Sequence, residues 1–393
     1  MVMTSGLPHR GWSRWLLGGV LTLALLLSSC TLPQVSAEER LFLHLSLDLV
    51  GTYTLPKQTF EETPVGGISA IAYDAERDRV YALSDDRGRI APSRFYTLRL
   101  GETSNALDEM TIESVTLLRD AGGELFPVDS LDPEGMALSP RNTLMISSEG
   151  VGVSGSPPRL MEFDRDTGQL MTEFRLPDRY LPSPDPSNPE GGITQGVQDN
   201  LSLEALTVSG VPSRGTWVEP FRLFVATEGP LRQDLDEDFA IAPKNRLLHY
   251  LIGQDQSTLI SEHIYPLEIA PTGAVVNGLS ELLSLDQAGH FLGLERAFGF
   301  KGFEIKLYQL ATGGATDSST LVSAKGELNG ITPIQKQLVL DLADLDIPLD
   351  NFEAMTLGVP VDNGNQSLLL ASDDNFDDAQ TTEFLLFKLQ LTP

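Results

Sequence analysis

From about Leu41 onward the chain is written in short apolar runs of strand length, punctuated by clusters of Asp, Asn, Gly, Ser and Pro, with no 3.6-residue period between them. Val80-Tyr81-Ala82-Leu83, Thr143-Leu144-Met145-Ile146, Arg222-Leu223-Phe224-Val225 and Ser367-Leu368-Leu369-Leu370 read as apolar strands. After a loop, each is followed by another strand candidate: Arg94-Phe95-Tyr96-Thr97-Leu98, Arg159-Leu160-Met161-Glu162-Phe163, Arg246-Leu247-Leu248-His249-Tyr250 and Glu383-Phe384-Leu385-Leu386-Phe387, with Phe303 to Tyr308 in a further unit. More polar fourth strands follow, such as Met110 to Val115 and Thr258 to Ile264. Four short strands per unit predict an all-β fold built of blades.

An acidic residue opens most units and a second closes the following strand. The first members are Glu134, Glu204, Glu281 and Glu353, with Ser69 as a degenerate start; the second are Asp85, Glu149, Glu228, Glu295 and Asp373. Counted from Ser69, the first members recur at 65, 70, 77 and 72 residues. Such a period is the signature of a β-propeller, with five blades favoured and a sixth open if a long loop hides a divergent unit. The last unit stops after its third strand, at Leu391-Thr392-Pro393, whereas Leu43 to Val50 precedes the first unit as an unassigned strand. The expectation is that the N-terminal strand pairs with the C-terminal one, closing the ring and removing two free edges. Residues 177–200, rich in Pro, Ser, Asn and Gly, are expected to leave the ring and cross its face.

Charge and the N-terminus narrow the picture. Arg10 and Arg14 precede an apolar stretch, Leu16 to Leu27, too short to span a bilayer, and Leu27-Ser28-Ser29-Cys30 closes it with small residues before the chain's one cysteine. This pattern predicts a bacterial lipoprotein signal at 1–29, lipidation of Cys30, a tether at 30–40 and a single propeller domain at 41–393. The chain would then be exported and lipid-anchored to the cell envelope, with Thr31 rather than Asp after the cysteine favouring the outer membrane facing the periplasm. With one cysteine there is no internal disulfide. The net charge is −28, falling to −30 without residues 1–29, which makes nucleic acid an improbable partner and leaves a monomer as the expected state.

In a propeller the inner strands line the central channel and their ends meet at its mouth. Acids at one point of several blades therefore form a ring, and the metal-ligating candidates are Asp85, Glu134, Glu149, Glu204, Glu228, Glu281, Glu295, Glu353 and Asp373. Crowded carboxylates do not all ionise without compensation, and calcium, which takes six to eight oxygens in irregular geometry, suits them. The mature histidines His44, His249, His263 and His290 are scattered, with no zinc-type spacing. Arg87 and Arg296 stand next to or close behind ring acids, and Arg94, Arg159 and Arg246 begin third strands. Carboxylates beside planar guanidinium donors suit a metal-bridged phosphate or carboxylate ester, and the candidate catalytic set is Glu134, Glu353, Arg87, Arg159 and Arg296. An architectural reading also stands, in which the acids bond backbone amides of neighbouring blades and each Arg is an ion-pair partner. Asp234-Leu235-Asp236-Glu237-Asp238 starts like a calcium loop but has Phe239 where the turn Gly belongs and Asn245 where a bidentate Glu belongs. Asp341, Asp344, Asp346 and Asp350 are read as loop or surface acids. Ser147, Ser148 and Ser372 lie beside ring acids without a nucleophile elbow, which argues against a serine triad.

At these blocks the chain resembles the phytase-like domain family, the "esterase-like activity of phytase" proteins. The closest likeness runs from Asp350-Asn351-Phe352-Glu353-Ala354-Met355 through Ala371-Ser372-Asp373-Asp374-Asn375-Phe376 to Gln380. Asp132-Pro133-Glu134-Gly135-Met136 with Ser148-Glu149-Gly150, and Thr227-Glu228-Gly229-Pro230-Leu231, match central blocks, so the resemblance spans about residues 60–390. Ala354, where the family often has Gly, is a departure that leaves the Glu in place. The resemblance implies an exported bacterial propeller of esterase or phosphoesterase character; it does not imply a substrate. Two readings remain: a calcium-dependent hydrolase of small phosphate esters, or a non-catalytic propeller that binds a small anionic ligand or an envelope protein at its mouth.

Overall fold

The computed structural model describes residues 41–392 apart from 102–106, 185–186, 188–191, 210–219, 239, 255, 360 and 362–365. The expected signal segment at 1–29, the expected tether at 30–40 and the expected lipidation site Cys30 lie outside the described residues. Leu43–Pro393 forms one compact unit. Apart from the single 3-10 turns Asp178–Tyr180, Arg232–Asp234 and Leu342–Asp344, the regular elements among the described residues are strands.

Five four-stranded antiparallel sheets are arranged as blades. Blade 1 comprises Ile68–Asp74, Arg79–Ser84, Arg94–Leu100 and Met110–Leu117, and blade 2 comprises Pro133–Leu138, Thr143–Ser148, Arg159–Asp164 and Leu170–Phe174. Blade 3 is Leu203–Ser209, Phe221–Thr227, Lys244–Ile252 and Ser257–Pro266; blade 4 is Ala274–Ser284, His290–Gly299, Gly302–Ala311 and Gln335–Asp341. Blade 5 takes Asn351–Leu357, Gln366–Asp373 and Thr382–Thr392 from the C-terminus and its outer strand, His44–Leu55, from the N-terminus. That closing strand runs antiparallel from His44 opposite Thr392 to Leu55 opposite Thr382, with one irregularity between Leu49 and Gly51. The ring therefore closes as the orphan strand predicted, with five blades.

The middle of each second strand is buried because both of its faces are covered, as at Tyr81–Leu83, Leu144–Ile146, Leu223–Ala226, Phe291–Leu294 and Leu368–Ala371. Five apolar cores fill the gaps between neighbouring blades. Between blades 1 and 2, for example, Tyr81, Leu83 and Phe95 pack with Met136, Leu144, Ile146 and Phe163, and between blades 5 and 1, Leu369, Phe384 and Leu386 pack with Ile71, Val80 and Tyr96. The polar inner ends of the blades are thus left to face one another at the axis. In the described part of 177–200, the chain leaves blade 2, makes the 3-10 turn Asp178–Tyr180 and a short hairpin of Ser183–Pro184 with Ile193–Gln195, and returns to the mouth at Asn200.

Two of the arginines that begin third strands are interior fasteners. Arg94 donates to Asp86 (2.8 Å), the Tyr96 hydroxyl (2.6 Å) and the Pro64 carbonyl (2.9 Å). Arg246 donates to both oxygens of Asp234 (2.6 and 2.9 Å) and to Glu262 (2.5 Å), with no exposed surface on any of the three side chains. Asp234 also accepts from the backbone of Ala324, and Asp236 from Lys244 and the Gly326 amide, so the calcium-like loop is committed to ion pairs and backbone amides. Truncating one member of a buried pair leaves its partner charged in a dry interior, at a cost of about 3–5 kcal/mol. Arg246→Met is expected to lower the unfolding free energy by about that amount in a urea titration, and Arg77→Met, which breaks an exposed pair with Asp166, by under about 1 kcal/mol.

Candidate functional site: an acid-lined axial mouth

The geometry of the mouth follows from one irregularity repeated five times. In each first strand the pairing with the second strand slips: between Ile68 and Ala70, Pro133 and Met136, Leu203 and Leu206, Leu279 and Glu281, and Phe352 and Ala354. The slips coincide with Ser69, Glu134, Glu204, Ser280 and Glu353. A bulge leaves the extra residue unpaired and re-aims its side chain, here toward the axis. The residue after the bulge lies where neighbouring blades approach closely: a Cβ added to Gly135 would sit 2.2 Å from the Glu204 carbonyl oxygen. Alanine fills the same place at Ala70, Ala205 and Ala354.

The second strands contribute the other half. Ser84, Ser148, Thr227, Glu295 and Ser372 stand opposite Ile68, Pro133, Leu203, Leu279 and Phe352. The residues that follow them, Asp85, Glu149, Glu228, Arg296 and Asp373, therefore occupy equivalent places and line the mouth. The ten axial positions accordingly hold seven carboxylates, two serines and one arginine. The seven carboxylates and Arg296 line a cavity of about 360 Å³ together with Asp86, Arg87, Arg89, Asp132, Asn200, Asn351 and Phe376.

Blade 4 departs from the expected ring at both positions. Glu281 is one residue past the bulge and takes the small-residue place; it accepts from the backbone amides of Leu206 (3.2 Å) and Leu282 (2.8 Å), tying blade 3 to blade 4 away from the cavity lining. Glu295 is one residue short of the axial place and accepts from the Tyr265 hydroxyl (2.5 Å), Lys336 (2.5 Å) and the Glu268 amide (3.1 Å). The physical reason is the two-residue period of a strand: a displacement of one position sends the side chain to the other face. Arg159 is likewise away from the mouth, bonded to Glu173 (3.0 and 2.6 Å) and lying over the Phe126 ring. Glu134, Glu353, Arg87 and Arg296, with Asp85, Glu149, Glu204, Glu228 and Asp373, are brought together as expected.

Sequence reading did not mark Asp132, Asn351 and Asn200 as wall residues, nor Ser280 as the first-strand axial residue of blade 4. The signal for Ser280 was present in the apolar frame: Leu203-x-x-Leu206, Leu279-x-x-Leu282 and Phe352-x-x-Met355 superpose only if Ser280 stands with Glu204 and Glu353. Nothing local marks Asn200, which arrives from a long loop. Ser147, Ser148 and Ser372 serve as bonds within and between strands: Ser147 to the amide of Gly135, Ser148 to that of Asp132, and Ser372 to the Thr381 carbonyl.

Counter-charges in the mouth are unevenly shared. Arg296 donates through Nη1 to Asn351 (2.6 Å) and Glu353, and through Nη2 to Glu228 (2.9 Å). Glu228 reaches it by lying over Gly278, where an added Cβ would come 2.3 Å from the Glu228 Cγ. At the rim Arg87 meets Asp132 (2.6 Å) and Asn200 (2.8 Å). Between them lie Glu134, Glu149 and Glu204. Glu149 accepts from the Ser202 amide. Glu204 is 6% exposed and, among the described residues, has no hydrogen-bond or ion-pair partner for its carboxylate.

Burial first, and then the charge of neighbouring carboxylates, pushes the affinities for protons up. Glu204 is raised well above the ordinary carboxylate value by burial and by Glu228 and Glu149; Glu134 by burial, Glu204 and Asp132; Glu149 by burial and Glu228; Asp85 by burial, Asp373 and Glu353. Glu353 is raised to about 8 by burial despite Arg296, and Asp373 to about 6. Two groupings, Asp132/Glu134/Glu149 and Glu149/Glu204/Glu228, bring one carboxylate oxygen from each member within 4.8 Å of the others. An all-oxygen, anionic donor set of this kind fits a hard divalent cation.

Fold and site together define a five-bladed β-propeller with an acidic axial mouth. The model of the phytase-like family, described as esterase-like activity of phytase, matches residues 63–376, and the chain belongs to that family. No curated protein matches it. Among solved structures it is similar to the Dos1 propeller (6% identity, 82% of this chain and 68% of the other, TM-score 0.34). It is also similar to the Pan2 WD40 domain of Neurospora crassa (7%, 87% and 95%, 0.32) and to the N-terminal domain of Nup159 (10%, 88% and 95%, 0.29). Likenesses this distant carry no argument about function.

The raised values fix the sign of a pH effect. An acid that binds its proton more tightly folded than unfolded stabilises the fold at low pH, and that stability is lost as pH rises through the folded value. For Glu353 the window runs from the ordinary 4.5 to about 8. In chelator, calorimetry is expected to show the melting temperature falling from pH 5 to pH 8, less steeply in Glu353→Gln. Saturating calcium is expected to flatten the dependence in the unaltered protein.

Proposed function

We propose that the protein is a calcium-dependent hydrolase of small phosphate esters, working at the axial mouth and held at the cell envelope by lipid on Cys30. The observation that carries the reading is Glu204, a buried carboxylate with no hydrogen-bond or ion-pair partner among the described residues, whose oxygens converge with those of Glu149 and Glu228. Asp132, Glu134, Glu149 and Glu204 would hold the ion. A divalent cation there supplies the charge that polarises a phosphoryl oxygen and acidifies a water molecule.

The chain's own residues supply the rest. Arg87 lies at the rim with its guanidinium partly open to solvent, and presents a planar donor to a phosphate. Glu353 is the proton acceptor: its Oε2 is held by Arg296 and Asn351, which leaves Oε1 to take the proton of an attacking water. A proton affinity near neutrality is what a general base requires. The remaining acids exclude polyanions, since a net charge of −28 repels a ligand bearing many phosphates.

Chromogenic phosphate mono- and diesters are expected to be hydrolysed in calcium and not in chelator, with Glu134→Gln and Glu353→Gln each lowering kcat by about 100-fold or more while circular dichroism is unchanged. Full turnover in chelator would remove the mechanism. A calcium-dependent rise in melting temperature with no turnover on a broad ester panel would favour a ligand-binding propeller instead. Anchoring is checked separately: Cys30→Ala is expected to move the protein from the membrane to the soluble fraction of the host, with loss of the lipid mass from the mature N-terminus.

A further inference from the structure

The arginine in the ring is the feature that the hydrolase reading does not use directly. Four of the five second-strand places at the axis hold acids, Asp85, Glu149, Glu228 and Asp373, and the fifth holds Arg296. The first-strand place of the same blade is Ser280 rather than an acid, so blade 4 contributes a cation and no carboxylate to the mouth. Ser280 is 3% exposed and its Oγ has no partner. A Glu at that place would compete for the Arg296 guanidinium; a serine leaves it free to cross to blades 3 and 5. It does so, joining Glu228 to Glu353 with help from Asn351.

We propose that Arg296 takes the place of a divalent cation on one side of the mouth, so that the unaltered protein binds a single ion, in the half formed by Asp132, Glu134, Glu149 and Glu204. The proposal rests on the reading of the mouth as a calcium site and goes beyond it in fixing how many ions enter and where. Its geometric basis is twofold. Both groupings whose oxygens converge within 4.8 Å contain Glu149, so an ion held in either is held by that residue. The one member that extends toward the other side, Glu228, already has its charge met by Arg296 at 2.9 Å. Removing the guanidinium leaves Glu228 and Glu353 as facing buried anions with Asp373 close by, which is the condition that calls a cation in.

The test is calcium stoichiometry by equilibrium dialysis on the mature chain, with terbium luminescence as a second readout. The unaltered protein is expected to bind one ion, Glu149→Gln to lose it, Arg296→Lys to keep a stoichiometry of one, and Arg296→Met to bind two. In chelator Arg296→Met is expected to melt below the unaltered protein and to gain more in melting temperature from calcium. Two or more ions on the unaltered protein, or an unchanged single ion on folded Arg296→Met, would overturn the role of Arg296 while leaving the calcium site in place. No uptake of calcium or terbium by any of these proteins at millimolar concentration would overturn the calcium reading of the mouth itself. If Arg296→Met does not fold, the stoichiometry of the unaltered protein decides.

Discussion

Electrostatic repulsion among carboxylates at the propeller axis is the constraint around which the rest of the molecule is arranged. Seven acids converge from four blades, and each is buried or nearly so, which by itself favours an open ring. The ring stays closed because the opposing terms are spread over the whole circumference: five inter-blade apolar cores and a terminal strand that pairs from His44 to Leu55 along the last strand of the chain. Hydrophobic burial is proportional to area and blind to direction, so it can hold the blades together without regard to what meets in the middle. That separation lets the axial chemistry vary without disturbing the fold.

The cations are arranged by depth. Arg94 and Arg246 lie with no exposed surface and fasten loops at the blade ends, where their carboxylate partners are fully satisfied. Arg296 sits in the ring and Arg87 on its rim. Arg87 and Arg89 each retain a solvent-facing side and a place at the cavity, whereas the arginines that begin third strands are tied to carboxylates and do not line it. Position, more than residue identity, separates an architectural guanidinium from one that can meet a ligand.

The five β-bulges connect sequence to site. A regular first strand would alternate its side chains between two inter-blade cores and offer the axis little more than backbone. The slip in each strand frees one residue from that alternation, and the small residue that follows lets the next blade come close. In blade 4 the small place is taken by Glu281, which meets the close approach by accepting the amide of Leu206 from blade 3 and that of Leu282 from its own strand. The acid there is architectural for the same reason that alanine suffices elsewhere.

The sequence by itself determined the blade: four-strand units, the closing of the ring by the terminal strands and the convergence of acids at one end are written in apolar runs and in a period of about 70 residues, while the choice of five blades over six fell to the structure. The ring acids of blades 1, 2, 3 and 5 were legible because their neighbours repeat. Tertiary structure alone decided blade 4, where Glu281 and Glu295 mimic the repeat one residue out of register and Ser280 and Arg296 hold the real places. It also decided that Arg159 faces Glu173 and that Asn200 arrives from a distant loop. The physical reason is that a strand's side-chain direction reverses at every residue, so a periodic pattern locates a unit to within a residue or two, and only the pairing of backbones settles which side chain points at the axis.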